Sequence, residues 1–599
     1  MRTFVLIGII FSFLSSCKLL VKKEVSNNLV IERKVDSLLA LMTLEEKIGQ
    51  MSQVRHFDKD TDANIASKYL GSVIHTQGPS PGKGAAGWQN RFRDLQEKAL
   101  STRLGIPLLF AVDAVHGQNT FEGATIFPHN IGLAATRNAA LVEEAGAITA
   151  LETQATGFNW AFAPCVAIPY NDKWGRVYEA FAECTKLTQQ LAKASIRGYQ
   201  GDLSKPNTVM ATAKHYIGDG ATDFGQEGGN TSISKQEIYE RLLPPYKTAV
   251  REGVGAVMAS FNAYKGKAMH AHKELITDTL KTSMGFDGIV VSDWKGYSRF
   301  GKNEIINAGI DVVMCVDGNL DFFQQGLKKG LENGEVLQER VDDAVRRVLR
   351  QKFRLGLFEN PYPDTTLTDK IGIPSHRKKA RQAVRESLVL LKNKNSTLPI
   401  DKGTSKIVVV GEHGNNSGLQ SGGWTMSWQG VKENYAGATT ILEGIEKVAK
   451  GLVVYDIDGN GNHPDADVAI VVVGETPYAE FFGDIGDGNG THQLTLSETH
   501  QKYIKKYKEK GVKVVVVLIS GRPLVVGDQL KQSDAFVAAW LPGSEGDGIA
   551  EVLFGDYNFT GKLPHSWPRS TADYKGKFGP NFWDDSFSPL FPYGYGLSY

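Results

Sequence analysis

The sequence has few cysteines, almost no net charge and no long apolar run beyond its first twenty residues. Four cysteines in 599 residues are too few for the disulfide framework of a small secreted domain. The 67 basic and 66 acidic side chains leave a formal charge of +1, which gives no electrostatic reason to expect a nucleic-acid partner. After residue 20 no apolar run reaches the roughly 20 residues of a membrane-spanning helix. The composition therefore indicates a large globular protein stabilised by its apolar core.

The sequence also lacks the local motifs that bind metal ions or nucleotides. It contains no C-x-x-C pair and no local histidine cluster of the kind that binds zinc. Glycine-rich loops follow several apolar runs, but none has the G-x-x-x-x-G-K-[ST] or G-x-G-x-x-G spacing directly after a predicted strand. We therefore expect no metal and no cofactor, and the pattern disfavours a nucleotide-binding protein.

The first seventeen residues have the pattern of an export signal. Arg2 precedes an apolar stretch, Phe4–Leu14, and small residues then lead to Cys17. A positive start, a short apolar region and a small-residue cleavage site are typical of secretory signals. The ending resembles the lipobox of bacterial lipoproteins, whose cysteine is lipidated; the alternative is a plain signal peptide. We expect residues 1–17 to be the signal, residues 18–28 a tether, and the protein to be exported, either periplasmic or anchored to the outer membrane through Cys17.

The length and the apolar pattern predict two α/β domains, since 599 residues exceed one ordinary core. In residues 29–358 short apolar runs alternate with helical patterns, which predicts a (β/α)₈ TIM-like barrel. A proline-rich linker, residues 359–385, follows. The pattern over residues 376–392 predicts a helix. In residues 386–599 a second alternating series predicts an α/β sandwich with a mostly parallel sheet. The predicted strands are Ile106–Val112, Trp160–Ala163, Thr208–Ala213, Val254–Ala259, Gly288–Ser292 and Ile310–Met314 in the first domain, and Lys406–Val410, Leu452–Tyr455, Asp467–Val473, Val512–Ile519 and Asp534–Trp540 in the second.

Polar residues follow the predicted strands of the first domain closely. In a barrel these positions are the carboxyl ends of the strands, where active sites are built. Because five runs share the pattern, packing alone does not explain it. The residues are Asp113, His116, Asn171–Arg176, Lys214, His215, Asn262, Asp293 and Trp294.

Asp293 stands at the end of the apolar run Gly288–Ser292. A carboxylate there has no packing role unless something binds it, because burying an unpaired charge costs free energy. The structural alternative is a helix N-cap, a position that aspartate favours. Taken alone, Asp293 leaves both interpretations open.

Five motifs that occur in one order along the chain together resemble glycoside hydrolase family 3, in particular its two-domain β-glucosidase and β-glucan exohydrolase branch. The resemblance extends from Met42–Lys47 to Phe591–Ser598. It implies a retaining, exo-acting enzyme that releases β-D-glucose from the non-reducing ends of β-glucosides and β-glucan oligosaccharides. The motifs are Trp174–Phe181, Ala213–Gly220, Val291–Trp294, Gly422–Gly430 and Gly474–Glu480.

The resemblance also implies which two carboxylates are catalytic. The aspartate of the Ser-Asp-Trp motif, which is the family's nucleophile, corresponds to Asp293, and the acid/base glutamate of the second domain corresponds to Glu480. Glu475 is the competing candidate, and we favour Glu480 because Gly483-Asp484 follows it as in the branch pattern. Retaining hydrolysis needs one ionised carboxylate to attack the anomeric carbon and one protonated carboxyl group to release the leaving oxygen.

A sugar-binding site is implied as well. By the resemblance, Asp113, Arg176, Lys214 and His215 would bind the hydroxyl groups of the terminal sugar, although Asp113 alone is equally compatible with a helix cap. Glu227 is expected to orient Lys214 or His215.

Two tryptophans, Trp294 and Trp428, match a pair that covers the next sugar in the exohydrolases, because flat aromatic rings pack on the apolar faces of sugars. Trp424, in the same loop as Trp428, remains undecided at this stage.

Three alternatives are compared with this interpretation. The β-N-acetylglucosaminidases of the same fold use a His-Asp dyad as acid/base, but this chain reads Lys214-His-Tyr-Ile-Gly-Asp219 and then Asp223-Phe-Gly. The histidine of the dyad is missing, so that activity is disfavoured. β-Xylosidase or another β-glycosidase specificity stays open, because the motifs do not show the pocket wall that senses the hydroxymethyl group of glucose. A catalytically silent glycan-binding surface protein is disfavoured because both candidate carboxylates are present.

Overall fold

The computed structural model describes residues 28–76, 80–203, 205–486 and 492–599. The predicted signal, with Cys17, and residues 18–27 of the predicted tether lie outside the described residues. The described chain begins with a helix over residues 28–41. Among the helices that the structure describes, none combines the length and apolarity needed to cross a membrane.

Among the residues that the structure describes, eight parallel strands of the first domain close into a barrel. The strands of this domain are β1 (Ser52–Arg55), β2 (Ser72–His75), β3 (Leu109–Val112), β4 (Trp160–Ala161), β5 (Thr212–Tyr216), β6 (Asn230–Thr231), β7 (Ala256–Ala259), β8 (Ala263–Tyr264), β9 (Lys267–Ala268), β10 (Ile289–Val291) and β11 (Val313–Met314). They pair in the orders β11-β1-β2-β3-β4 and β10-β7-β5, with β6, β8 and β9 in a separate small sheet. Parallel bridges at Trp160–Met210 and Val291–Val312 join the two larger sets at both edges. The predicted TIM-like barrel is confirmed.

Helices connect the barrel strands and cover them from outside. Asn138 begins one of them, because its side chain accepts a hydrogen bond of 3.1 Å from the backbone N–H of Leu141. The helices after the first are Leu44–Gln50, Thr61–Ser67, Gly84–Leu100, Asn130–Ala135, Ala139–Ala155, Thr185–Gln200, Lys235–Glu237 continuing through a π-helical turn at Ile238–Leu242 into Leu243–Arg251, the π-helix Glu274–Ser283, Gly296–Phe300, Asn303–Ala308, Leu320–Glu332 and Gln338–Arg354.

Two barrel strands were not predicted from the sequence, and a third begins and ends later than predicted. β1 reads Ser-Gln-Val-Arg and β2 reads Ser-Val-Ile-His. Both are short and half polar, so neither stands out as an apolar run until neighbouring strands bury it. β5 extends past the predicted end at Ala213 and includes Lys214 and His215, which therefore belong to the strand and not to the loop after it.

In the second domain the described residues form a six-stranded sheet. Its strands are β12 (Val389–Asn393), β13 (Lys406–Val410), β14 (Leu452–Asp456), β15 (Val468–Gly474), β16 (Lys513–Ile519) and β17 (Ala535–Trp540), in the order β12-β17-β16-β15-β13-β14. All neighbours are parallel except β12 and β17, which confirms the mostly parallel sheet. The valine-rich central strands β15 and β16 are buried, as strands covered on both faces must be.

One helix of the second domain ends earlier than predicted. The sequence pattern indicated a helix over residues 376–392, but the helix Pro374–Ser387 stops and β12 begins at Val389. Pairing of β12 with β17 buries Val389, Leu390 and Leu391 almost completely, a tertiary gain that local periodicity does not reveal. The other helices are Ser417–Ser421, Ile441–Val448, Glu498–Glu509, Gly527–Gln532 and Asp547–Leu553, with short 3₁₀ turns that include Glu412–Asn415 and Glu480–Gly483.

Candidate active site

A cleft of about 320 Å³ lies at the carboxyl ends of the barrel strands, where loops of the second domain close over it. This volume falls in the lower range of small-molecule sites. The barrel contributes side chains from β5 and from the segments after β3 and β10, as TIM-like enzymes do. Eight of the predicted site residues line the cleft: Asp113, Arg176, Lys214, His215, Asp293, Trp294, Trp428 and Glu480.

Asp293 follows β10, and two hydrogen bonds of backbone N–H groups fix its position in the cleft. Its N–H donates to Nε2 of His270 at 2.9 Å, and its Oδ1 accepts from the N–H of Trp294 at 2.6 Å. The next helix begins at Gly296, with Lys295 in the N-cap position, so Asp293 is not a helix cap. Burial raises the pKa of Asp293 to about 6, although the nearby cation of Arg176 opposes the shift.

Glu480 reaches the same cleft from the second domain, at the start of the turn Glu480–Gly483. Its backbone φ is +50°, a left-handed conformation that costs a non-glycine residue about 1–3 kcal/mol and is typical of functional sites. The pKa of Glu480 is raised to about 8, chiefly by burial and also by the neighbouring carboxylates of Glu227 and Asp293, against the effect of Arg176. The Arg176 guanidinium lies 3.5 Å from its carboxylate.

Glu475, the competing candidate, has a different environment. Its carboxylate pairs with Nε of Arg522 at 3.1 Å and accepts hydrogen bonds of 2.9 Å from the hydroxyl of Tyr478 and from the N–H of Gly521. It does not line the cleft. Of the two glutamates, only Glu480 is positioned to meet a substrate bound beside Asp293.

Arg176 is the electrostatic centre of the site. Its guanidinium contacts Glu179 at 2.9 Å and Glu227 at 3.3 Å, and donates to Nε2 of His215 at 3.0 Å. Burial alone would lower the pKa of Arg176, but the carboxylates of Glu179, Glu480 and Glu227 hold that pKa well above its usual value. A permanent cation thus lies beside both candidate catalytic carboxylates.

The positions of Glu227 and His215 differ from the sequence-based expectation. Glu227 lies behind Arg176, where it also accepts from the indole N–H of Trp174 at 2.6 Å, and it contacts neither Lys214 nor His215. His215 is instead held by Asp219, 2.9 Å from its Nδ1. Since both ring nitrogens of His215 have partners, its hydrogen bonds orient Arg176, and its contact with a sugar hydroxyl stays a prediction.

Asp113 and Lys214 form a pair that lines the cleft, with Lys214 Nζ 3.1 Å from Asp113 Oδ1. Both side chains are nearly buried. The same ammonium group lies 5.5 Å from the ring centre of Trp424, and Trp424 also lines the cleft. An anion and a cation side by side can accept from and donate to adjacent hydroxyl groups. Trp424, whose role the sequence left open, therefore forms part of the wall of the site.

Trp294 and Trp428 border the cleft from different domains. The guanidinium of Arg55 lies 5.5 Å from the ring centre of Trp294, and the ring of Phe482 packs edge-on against Trp428 at 5.6 Å between centroids. Each ring is therefore supported by another side chain and presents apolar surface to the cleft.

Sequence profiles for both domains of one family match the chain. The profile described as "Glycosyl hydrolase family 3 N terminal domain" matches residues 43–351, and that described as "Glycosyl hydrolase family 3 C-terminal domain" matches residues 388–599. The chain belongs to glycosyl hydrolase family 3. The resemblance seen in the motifs is confirmed, and the protein is a glycoside hydrolase.

Several proteins resemble this family-3 hydrolase over most of its length. "Lysosomal beta glucosidase" of Dictyostelium discoideum is 32% identical over 94% of this chain and 76% of its own. "Beta-xylosidase" of Formosa agariphila is 28% identical over 95% of this chain and 79% of its own. The crystal structure of exo-1,3/1,4-beta-glucanase from a Pseudoalteromonas species has 39% sequence identity and a TM-score of 0.88, and covers 95% of this chain and 74% of that one.

Asp484 and Arg522 dock the two domains of this family-3 hydrolase, a role that the sequence analysis missed. Asp484 accepts from the backbone N–H groups of Gly175 and Glu227 at 2.7 and 2.6 Å. Arg522 donates to the backbone carbonyls of Asp172 and Gly483 at 2.9 and 2.7 Å. These bonds bracket the turn that carries Glu480. Only the position of Asp484, just after Glu480, offered a sequence signal for this role.

Proposed function

We propose that this protein is a retaining, exo-acting β-glucosidase and exo-β-glucanase that releases β-D-glucose from the non-reducing ends of β-glucosides and β-glucan oligosaccharides. The observation that carries the proposal is the pair Asp293 and Glu480, which come from different domains and face one cleft. Their pKa values are raised to about 6 and about 8, respectively. At neutral pH one group is then ionised and the other protonated, as double displacement requires.

In the first step the Asp293 carboxylate attacks the anomeric carbon while the bond to the leaving oxygen breaks. Glu480 transfers its proton to that oxygen, which leaves a glycosyl ester on Asp293. The ionised Glu480 then takes a proton from water as the water oxygen attacks the anomeric carbon. The ester bond breaks, Asp293 regains its charge, and two inversions retain the β configuration. Arg176 favours the ionised form of each carboxylate when it carries the charge.

The pH dependence of kcat/KM should be bell-shaped. Asp293 must be ionised, so activity falls as the pH drops through about 6; Glu480 must be protonated, so activity falls as the pH rises through about 8. The optimum then lies at about pH 7. The measurement is kcat/KM for an aryl β-glucoside between about pH 4 and pH 10. A rate that stays constant across both pKa values would contradict the assignment of the two roles.

Trp428→Ala should weaken binding of disaccharides more than that of aryl monosaccharides. The half-buried indole lines the cleft, where it would pack on the second sugar, and its loss should raise KM for laminaribiose or cellobiose about tenfold. Trp428→Phe, which keeps an aromatic face, should recover most of the affinity. Equal losses on nitrophenyl β-glucoside and on the disaccharides would contradict a role in binding the second sugar.

Substrate specificity is tested with nitrophenyl β-glycosides and short β-glucans. Three features support glucose release: the nearly buried polar pair Asp113–Lys214 in the cleft, the tryptophans that line it and the similarity to the exo-1,3/1,4-beta-glucanase. The second candidate is β-xylosidase activity, which the similarity to the Formosa agariphila protein favours. We expect kcat/KM for the β-glucoside to exceed that for the β-xyloside. The reverse order would establish the second candidate.

We also propose that the protein is exported and carries a lipid on Cys17. The support is the pattern of Arg2, the apolar stretch Phe4–Leu14 and the small residues before Cys17. Expression of the complete chain in a Gram-negative host should yield a membrane-bound form that takes up labelled fatty acid. In Cys17→Ser cells the label should be lost. A chain that is cleaved and unlabelled in both forms would instead indicate a plain signal peptide.

A further inference from the structure

The second domain has a group of three side chains, outside the catalytic cleft, with the donor atoms of a transition-metal site. A carboxylate oxygen of Glu412 and one ring nitrogen each of His413 and His500 lie within 4.8 Å of one another. Glu412 and His413 begin the turn that follows β13, and His500 lies in the first turn of the helix Glu498–Glu509. None of the three lines the catalytic cleft.

Both imidazoles are buried with a nitrogen that has no partner. The Nδ1 atoms of His413 and His500 lack a hydrogen bond among the residues that the structure describes, while their residues are only 0% and 8% exposed. A buried polar atom without a partner costs about 1–3 kcal/mol, so two such atoms on adjacent rings call for an explanation. The rings pack edge-on at 5.3 Å between centroids.

The tautomer of His413 makes its free nitrogen a donor of electrons. Its Nε2 lies 3.0 Å from the backbone carbonyl oxygen of Glu475, and since a carbonyl can only accept, Nε2 must carry the hydrogen. In the neutral ring Nδ1 then carries a lone pair that no described group uses. A histidine whose second nitrogen donates to a carbonyl is the usual arrangement of a metal ligand.

The carboxylate and an entry path complete the arrangement. Glu412 is exposed, and among the described residues its carboxylate makes no hydrogen bond or ion pair. A cavity of about 770 Å³ is lined by Glu412 and His500, which leaves room for a water molecule as fourth ligand. Zinc bonds of about 2.0–2.1 Å require the ligand atoms to approach one another more closely than 4.8 Å. Rotations of the unrestrained Glu412 side chain and of the His500 ring, whose Nδ1 has no hydrogen bond among the described residues, can supply that movement.

We propose that Glu412, His413 and His500 bind one Zn²⁺ ion, with water in the fourth position. Two imidazoles and one carboxylate are a ligand set that zinc prefers over the oxygen-rich sets of calcium and magnesium. The ion joins the end of β13 to the helix Glu498–Glu509. Through the carbonyl of Glu475 it also supports the residue that pairs with Arg522, so its role is to stabilise the second domain near the domain contact.

The site is tested by zinc binding to the purified, chelator-treated full-length protein. We expect one equivalent of Zn²⁺ in competition with a chromophoric chelator, and a rise in the thermal midpoint of about 2 °C or more in excess zinc. Glu412→Gln, an exposed change that the fold tolerates, should weaken zinc binding at least about tenfold, and His500→Gln should weaken it at least about a hundredfold. Matched controls are Glu446→Gln and His463→Gln, which lie outside the group and should bind zinc like the wild type.

A second measurement reports the ligands directly. Co²⁺ in place of Zn²⁺ should give the visible absorption of a four-coordinate site, and this absorption should be lost in Glu412→Gln while hydrolysis of an aryl β-glucoside by that variant stays near the wild-type rate. The proposal is overturned if the wild type shows only weak, non-stoichiometric zinc binding of the kind that surface side chains give. Equal zinc binding by wild type and Glu412→Gln would likewise overturn it, because the carboxylate would then not be a ligand.

Discussion

The Asp293→Asn variant should hydrolyse an aryl β-glucoside at least about 10⁴-fold more slowly in kcat/KM than the wild type. An amide carries no charge with which to attack the anomeric carbon, and no other described carboxylate stands at the carboxyl end of β10. The amide oxygen can still accept from the N–H of Trp294, as Asp293 Oδ1 does at 2.6 Å. The thermal midpoint of unfolding should therefore change little. A loss of activity without a loss of stability would show that the substitution affects catalysis and not folding.

The matched control is Asp287→Asn. Asp287 lies just before β10, is exposed, and pairs with Arg354 at 2.6 Å on the outside of the barrel. The Asp287→Asn variant should retain the wild-type rate, because an ion pair on the surface contributes little to the stability of the fold. If Asp293→Asn kept a rate comparable with that of the control, Asp293 would not be the nucleophile.

Replacement of Glu480 by alanine should have the second-largest effect, and one that depends on the leaving group. For substrates with poor leaving groups, which need the proton of Glu480, kcat/KM should fall about 10²–10⁴-fold. A dinitrophenyl glucoside needs little protonation of its leaving group, so the rate of its first step should fall far less. Azide, which requires no general base, should accelerate breakdown of the glycosyl ester and yield the β-glucosyl azide. The alkaline limb of the pH profile should also disappear on the activated substrate.

Glu475→Gln distinguishes the two glutamates. Because Glu475 pairs with the fully buried Arg522 at 3.1 Å, its loss should destabilise the fold by roughly 3 kcal/mol, the usual result of leaving one charge of a buried pair alone. In the Glu475→Gln variant the dependence of kcat/KM on the leaving group should match that of the wild type. If azide rescued Glu475→Gln and not Glu480→Ala, the assignment of the acid/base would be wrong.

Much of the fold could be predicted from periodicity. The apolar runs of the second domain are close to the observed strands, because central parallel strands are buried on both faces and read as continuous apolar segments. The same rule hides β1 and β2, whose serine, glutamine and arginine are polar although the barrel encloses them. It also hides the change from helix to strand at Leu388, since Val389–Leu391 suit either element until β17 lies beside them.

By itself the sequence determined the family, the two α/β domains and the candidates Asp293 and Glu480, because ordered motifs and apolar periods are local properties of a chain. Only the tertiary structure decided that Glu480 faces the cleft while Glu475 pairs with Arg522. It also set Glu227 behind Arg176 and brought His413 beside His500. These outcomes depend on burial and on distances between residues far apart in the chain, which arise only when each domain folds. The position of Glu480 beside Asp293 requires, in addition, that the barrel and the sheet domain pack together.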